Sequence, residues 1–212
     1  MTLDELISPI HGRLGVLERN GDQRVTIADL TDDSRKVGPG SLFVAVQGER
    51  VDGHQFLDPV VAAGAAAVVV QRSGDVGAIS CVRVQDSRAA LGILGSRFYG
   101  DPSSSLRMIG VTGTNGKTTT TYVVKTMLEA ARRRVGLIGT VAYLVGKESI
   151  PASHTTPGAL ELQKLFARMR EARLDTVVME VSSHALALDR TAGSEFDVAV
   201  FTNLTQDHLD FH

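Results

Sequence analysis

Cysteine is almost absent from the 212-residue chain: Cys81 stands alone, so no disulfide can form within it. An excess of basic charge is missing too. Lys and Arg number 22 against 24 Asp and Glu, a formal charge of −2, so the basic footprint of a nucleic-acid binder is not there and duplex DNA is not an expected partner. Long apolar runs are also lacking. The longest, Pro59 to Val70, is 12 residues with Gly64 inside it, against about 20 needed to cross a bilayer, so no membrane span is expected. The opening segment MTLDELISPI carries Asp4 and Glu5 where a secretory signal carries Lys or Arg before an apolar core. With the lone cysteine, this sets a cytoplasmic location as the expectation. Tryptophan is absent and aromatics are scarce, whereas glycine reaches 21 residues, a bias expected where backbone turns tightly or approaches a ligand closely.

What is present describes an ordinary globular chain. The composition is 43% hydrophobic and 22% charged, well away from the low-hydrophobicity, high-charge region of disordered proteins. At roughly 150 residues per domain, the length predicts one domain and a fraction of another. The turn-rich run Gly100-Asp101-Pro102-Ser103-Ser104-Ser105 is the best punctuation, which puts the expected division at 1–103 and 104–212. In the first part, strand-length apolar runs at Arg24–Leu30, Ser41–Val46, Ala66–Gln71 and Ser80–Gln85 alternate with helical segments at Asp58–Gly64 and Ser87–Tyr99, the latter with Ser87 as N-cap. A small mixed α/β domain follows. In the second part, Leu106–Val111, Val135–Ile138, Val141–Val145, Thr176–Met179 and Phe196–Phe201 read as strands, and Lys117–Arg133 and Ala159–Arg173 as helices. Alternating strands and helices predict a largely parallel sheet covered on both faces.

The chemistry concentrates in Gly110-Val111-Thr112-Gly113-Thr114-Asn115-Gly116-Lys117-Thr118-Thr119-Thr120. A strand feeding a glycine loop that opens a helix gathers backbone N–H groups and the positive end of the helix dipole at one point, and Lys117 adds a full charge. That is a polyphosphate site, with the Thr118 hydroxyl placed for Mg²⁺. The strict pattern G-x-x-x-x-G-K-[ST] fails by one residue, since Val111 stands where glycine is required and Gly110 comes one place early. A plain Gly-Lys turn before a Thr-rich helix is the bland alternative. It does not account for strand, loop, lysine, hydroxyl and helix all appearing in order.

Gly113-Thr114-Asn115-Gly116-Lys117-Thr118-Thr119 resembles the ATP loop of the Mur ligases and their folylpolyglutamate synthase relatives. Further segments resemble the MurE type of Mur ligase in the same order. They are Asp33-Ser34-Arg35, Gly40 to Gly48, Asp52-Gly53-His54, His154-Thr155-Thr156-Pro157, Met179 to Leu186 and Phe201 to Asp210. The likeness runs from about residue 31 to the last residue. It implies an α/β fold in which a UDP-binding domain precedes the start of a P-loop-type, parallel-sheet ATPase domain. It also implies a ligase that joins a diamino acid to UDP-N-acetylmuramoyl-L-alanyl-D-glutamate in peptidoglycan synthesis. ATP and Mg²⁺ would serve that reaction, which passes through an acyl phosphate because a carboxylate is a poor electrophile until phosphorylated.

The same resemblance implies roles residue by residue. Lys117, Glu180 and His208 would be catalytic, and Thr118, Glu180 and His208 would hold Mg²⁺. His208 rests on the likeness alone, because a hard cation ordinarily prefers oxygen ligands. Gly113, Thr114, Asn115, Gly116, Lys117, Thr118 and Thr119 would bind ATP, while Asn203 would contact the nucleotide or orient the loop. Ser34 and Arg35, with Glu49, Arg50 and Val51, would hold uridine and diphosphate. Thr155, Thr156, Ser182 and Arg190 would hold the muramoyl peptide, and a guanidinium fork suits that carboxylate or phosphate. Many relatives carry Gln or Glu two residues before this arginine, whereas Leu188 stands here. The family's central domain continues to a carbamoylated lysine and a third domain supplies the amino-acid pocket. The chain is therefore expected to be the monomeric front portion of such an enzyme, without turnover of its own. Two alternatives are a UDP-substrate-binding module without catalysis and a folylpolyglutamate synthase-like ligase. The latter does not account for the first domain.

Overall fold

The computed structural model describes residues 1–48, 51–72 and 76–206. The chain forms two compact units, Met1–Phe98 and Tyr99–His212. The division falls ahead of the Gly100–Ser105 punctuation because that run is anchored. Pro102–Ser105 makes a 3-10 turn with Pro102 and Ser103 buried, and Arg170 donates to the carbonyls of Tyr99 and Gly100 at 2.9 and 2.8 Å.

The first unit begins with α1 (Leu3–Ile7), capped reciprocally by Thr2 and Glu5, and α2 (His11–Leu14). Then follow β1 (Val16–Asn20), β2 (Asp29–Thr31), β3 (Ser41–Val44), α3 (Leu57–Ala62), β4 (Ala67–Val70), β5 (Ser80–Val84) and α4 (Ser87–Phe98). The sheet order is β1-β5-β4-β3-β2, with β2 to β5 parallel and β1 antiparallel at the edge. Every residue of β3 and β4 is buried, as a parallel strand covered on both faces requires. Phe43, Val68 and Val70 pack with Val60 of α3 on one face.

Two local readings differ from the structure, and one strand stands where none was expected. The strand expected at Arg24–Leu30 is confined to Asp29–Thr31, because residues 25 and 27 bond instead to Leu3 and Met1 at the N-terminus. Ser87 is the first residue of α4 and not its cap; Asp86 accepts from the N–H groups of Arg88 and Ala89 at 2.8 and 3.1 Å. β1 carries no apolar run, since Glu18, Arg19 and Asn20 make it a polar edge strand.

The second unit runs β6 (Arg107–Thr112), α5 (Lys117–Ala130), β7 (Val135–Ile138), β8 (Ala142–Val145), β9 (Glu148–Pro151), α6 (Ala159–Glu171), β10 (Thr176–Glu180), α7 (Ser183–Ala187) and β11 (Val198–Phe201). Its sheet order is β11-β6-β10-β7-β8-β9. The first four of these strands are parallel, and β8 and β9 extend the sheet as an antiparallel meander. Side chains alternate between two cores, as the twofold period of a strand dictates. Met108, Val177 and Met179 face α6 with Leu162, Leu165, Phe166 and Met169, while Ile109, Val111 and Val178 face Val124 and Leu128 of α5. Phe166 is fully buried, so its truncation to alanine costs about 3–5 kcal/mol. β10 is buried along its whole length and ends on Glu180, which delivers that acid to the carboxyl edge of the parallel strands. Among the described residues, no helix is long and apolar enough to cross a membrane.

Candidate functional site

In the second unit the loop between β6 and α5 curls over the carboxyl edge of the sheet. Gly113 and Gly116 adopt φ of +129° and +87°, conformations that L side chains rarely adopt. Gly113 is further constrained by space: a Cβ there would lie 2.2 Å from Thr202 Oγ1 and 2.8 Å from the Asn203 carbonyl oxygen. Lys117 opens α5 and folds back over the loop, its Nζ donating to the carbonyls of Gly113 at 2.7 Å and Thr114 at 3.0 Å. A cleft of about 240 Å³ opens beside it, lined by Gly113, Thr114, Lys117, Ser182, Leu186 and Phe201 among others.

Glu180 faces the start of α5 from the adjacent parallel strand. It is 1% exposed, and a buried carboxylate needs compensating donors. Thr118 Oγ1 donates to it at 2.9 Å, and Thr140 donates through its backbone N–H at 3.0 Å and its hydroxyl at 3.1 Å. Gly139 makes room for the carboxylate, since a Cβ there would sit 2.3 Å from Glu180 Oε1. Thr140 escaped the sequence reading. Its only signal is position, just beyond the end of β7, where open α/β sheets gather ligand groups.

The network continues toward the residues expected to hold a muramoyl peptide. Thr140 Oγ1 lies 3.0 Å from Thr155 Oγ1. The buried Thr156 hydroxyl donates to the Glu180 carbonyl at 2.9 Å and accepts from the Ser182 N–H at 3.0 Å. Ser182 Oγ in turn caps α7 by accepting from the Ala185 N–H at 3.2 Å. Arg190 donates to the Thr156 carbonyl at 2.9 Å. Lys117, Thr118, Glu180, Thr155, Thr156, Ser182 and Arg190, far apart in sequence, are thus joined at one edge of one sheet. Thr119 is exposed on the first turn of α5. His208 lies outside the described residues.

Among the described residues there is no group of three or more His, Cys, Asp or Glu side chains arranged to hold a metal. The Thr118 and Glu180 oxygens form a smaller, hard donor pair. Such a pair suits a divalent cation that completes its shell with water and phosphate oxygens.

The first unit also gathers polar groups at the carboxyl ends of its parallel strands. After β2, Asp33 caps the Ser34–Lys36 turn by accepting from the Arg35 N–H at 3.1 Å. It also takes both arms of the Arg35 guanidinium, at 2.8 and 2.9 Å. That ion pair holds the Asp33 carboxyl down to about 2. After β3, Gly48 bonds the Val51 carbonyl at 2.9 Å; Val51 is exposed, and Glu49 and Arg50 lie outside the described residues. His54 Nε2 accepts from the Gln71 N–H at 3.0 Å, while its Nδ1 lies 2.6 Å from Asp52. The His54 contact, more than any other, lowers the Asp52 pKa. Gln47, Gly48, Gln71, Asp86 and Arg88 surround a polar cleft of about 260 Å³. Gln47, Gln71, Asp86 and Arg88 were missed in the sequence because they come from the ends of three different strands and the start of α4, so only the parallel sheet aligns them.

Strand, glycine loop and lysine-bearing helix, set against a buried carboxylate on the neighbouring parallel strand, define a phosphate-loop α/β protein joined to a second α/β unit. The chain belongs to the Mur ligase family. The Mur ligase middle domain matches residues 111–212, and the Mur ligase family catalytic domain matches residues 26–99. The UDP-N-acetylmuramoyl-L-alanyl-D-glutamate–2,6-diaminopimelate ligase of Alkaliphilus metalliredigens is 49% identical over 200 residues, covering 94% of this chain and 40% of that protein. Its namesake from Geobacillus thermodenitrificans is 48% identical over all 212 residues and 42% of its own length. The chain thus spans about two-fifths of the curated relatives it matches. A solved structure of a ligase of the same name superposes with a TM-score of 0.82 at 27% identity, over 99% of this chain and 41% of that one. The Thermotoga maritima MurF ligase in complex with ADP superposes with a TM-score of 0.57 at 26% identity, over 88% and 39%.

Proposed function

We propose that the chain carries the substrate-nucleotide and ATP-binding parts of a MurE-type ligase, an enzyme that adds a diamino acid to UDP-N-acetylmuramoyl-L-alanyl-D-glutamate. The observation that carries this reading is the joining of the phosphate loop through Thr118, Glu180, Thr140 and Thr155 to the Thr156–Ser182–Arg190 cluster. One sheet edge would then hold the phosphate donor and the carboxylate acceptor side by side. Proximity and neutralisation of two anions are what acyl-phosphate formation requires.

In this reading the loop N–H groups and Lys117 bind the ATP phosphates, and Thr118 and Glu180 hold Mg²⁺. When bound, the ion supplies positive charge against the phosphate oxygens. Thr155, Ser182 and Arg190 orient the muramoyl peptide, and Thr156 fixes the Arg190 guanidinium through its carbonyl. The first unit, with Ser34, Arg35 and the Glu49–Val51 segment, takes the UDP portion, and Arg88 at the polar cleft adds a cation for the diphosphate. The 1–103 and 104–212 parts correspond to these two tasks, as a cytoplasmic monomer.

Isothermal titration tests this directly. UDP-N-acetylmuramoyl-L-alanyl-D-glutamate and ATP are each expected to bind the folded chain, with UDP competing for the first ligand and folates not. Absence of binding at millimolar ligand would overturn the reading. In a coupled assay with a diamino acid, no ADP release is expected from this chain alone, because the resemblance places the bridging lysine and the amino-acid pocket in further parts of the enzyme.

A further inference from the structure

We infer that Asn203 is the positioning residue of the phosphate loop and acts by extending the parallel ladder with its side chain. β11 pairs with β6 up to Phe201 opposite Thr112. The pairing continues beyond both strands, with the Thr202 N–H donating to the Thr112 carbonyl at 3.0 Å and the Thr114 N–H to the Asn203 carbonyl at 3.0 Å. Backbone pairing then stops and the Asn203 carboxamide takes its place. Its Oδ1 accepts from the Asn115 N–H at 3.1 Å, and its Nδ2 donates to the Asn115 carbonyl at 3.0 Å. A carboxamide has the donor and acceptor of a peptide group, so one side chain imitates a further rung and grips a single loop residue from both ends.

Neighbours reinforce the grip. Thr202 Oγ1 donates to the Asn115 carbonyl at 2.7 Å. The Thr114 hydroxyl accepts from the Thr205 N–H at 2.9 Å and donates to its carbonyl at 3.1 Å. The Asn203 carboxamide is thus directed at the loop backbone, and its effect on a ligand passes through the orientation of the loop N–H groups. Preorganised donors bind an anion without having to reorder on its arrival. This inference rests on the loop being a polyphosphate site.

The test is Asn203→Ala in the 212-residue chain, with Thr202→Val as the milder companion should the first variant not fold. Two readouts are taken. In titrations with ATP and with inorganic tripolyphosphate, both in Mg²⁺, Asn203→Ala is expected to weaken both by the same factor, about tenfold, the scale of two modest hydrogen bonds. Thr202→Val should lower both by a smaller common factor. In hydrogen exchange without ligand, the Asn115 amide is expected to lose protection while the amides of β6 and the body of α5 keep theirs. Weakened ATP with unchanged tripolyphosphate would overturn the inference by making Asn203 a contact to base or sugar. Unchanged Asn115 protection would overturn it outright. Failure of the parent chain to bind either polyphosphate would refute the nucleotide reading, while the exchange measurement still decides whether the clamp exists.

Discussion

Both sheets offer a ligand the carboxyl ends of their parallel strands, yet the groups at the two edges are organised differently. In the second unit the decisive groups are contiguous backbone and one buried acid. Gly113 to Thr118 form a single loop, and Glu180 meets it from the next strand with its charge buried and three donors on its oxygens. In the first unit the groups come from several turns that are bonded internally and to one another: Arg72 reaches Gln47 and Asp52, Gln71 meets His54 and Ser87, and Arg88 donates to the Gln47 carbonyl. Asp33 holds Arg35 after β2, Gln47 and Asp52 form an isolated bridge after β3, and Asp86 caps α4 after β5. The guanidinium of Arg35 remains largely in water. A site built from one loop has little freedom to fail gradually, whereas a site shared among several cross-linked turns loses affinity in smaller steps when one group is removed.

That contrast predicts an order of effects. Gly113→Ala should be the most damaging. Its Cβ would meet the Thr202 hydroxyl and the Asn203 backbone at a φ of +129°, a conflict of about 3 kcal/mol or more. Loss of ATP binding together with a lower unfolding temperature is expected, and an affinity within twofold of the parent would show that the loop is not held as described. Lys117→Ala should weaken ATP by about 10–100-fold, the range of a hydrogen bond to a charged group. Thermal unfolding should stay unchanged, because among the described residues its Nζ bonds only two loop carbonyls.

Arg88→Ala should lower affinity for the UDP-linked dipeptide by about fivefold and leave ATP untouched; a loss of ATP affinity instead would break the division of labour. Asp33→Asn should have the smallest effect, and its sign follows from the ion pair. Arg35 holds the Asp33 carboxyl at about 2 against an ordinary 3.8. The stabilisation is therefore present above about pH 4 and lost as pH falls through 2. The variant should be slightly less stable than the parent at pH 7 in urea unfolding, with the gap closing toward pH 2. A gap that widens on acidification would contradict this.

The same difference explains what could be read from the sequence. The phosphate loop was legible because glycine, lysine and hydroxyl stand within seven residues, and the buried strands β3, β4, β6, β7 and β10 were legible because their runs are mainly apolar. Glu180 was legible only through the segment around it, and the structure adds its burial and its Thr140 partner. β1 and β9 were not legible: edge strands need no apolar alternation, and Pro151 at the end of β9 signals the opposite of a central strand. Nor was the polar cleft of the first unit, whose side chains come from the ends of three strands and the start of α4. No local pattern encodes a cleft that only strand order creates. Asn203 stands between these cases. Its residue type fits a turn as well as a ligand contact, and only the ladder between β6 and β11 shows which backbone it reaches.

The most direct test of the central claim, that the β6–α5 loop and Glu180 form the polyphosphate site of a Mur ligase, is calorimetric titration of ATP with Mg²⁺ into the parent chain and Lys117→Ala side by side. The account predicts saturable binding to the parent and an affinity lower by at least about tenfold in the variant, with both equally folded. Equal affinities in the two proteins, or no binding by the well-folded parent at millimolar ATP, would contradict it.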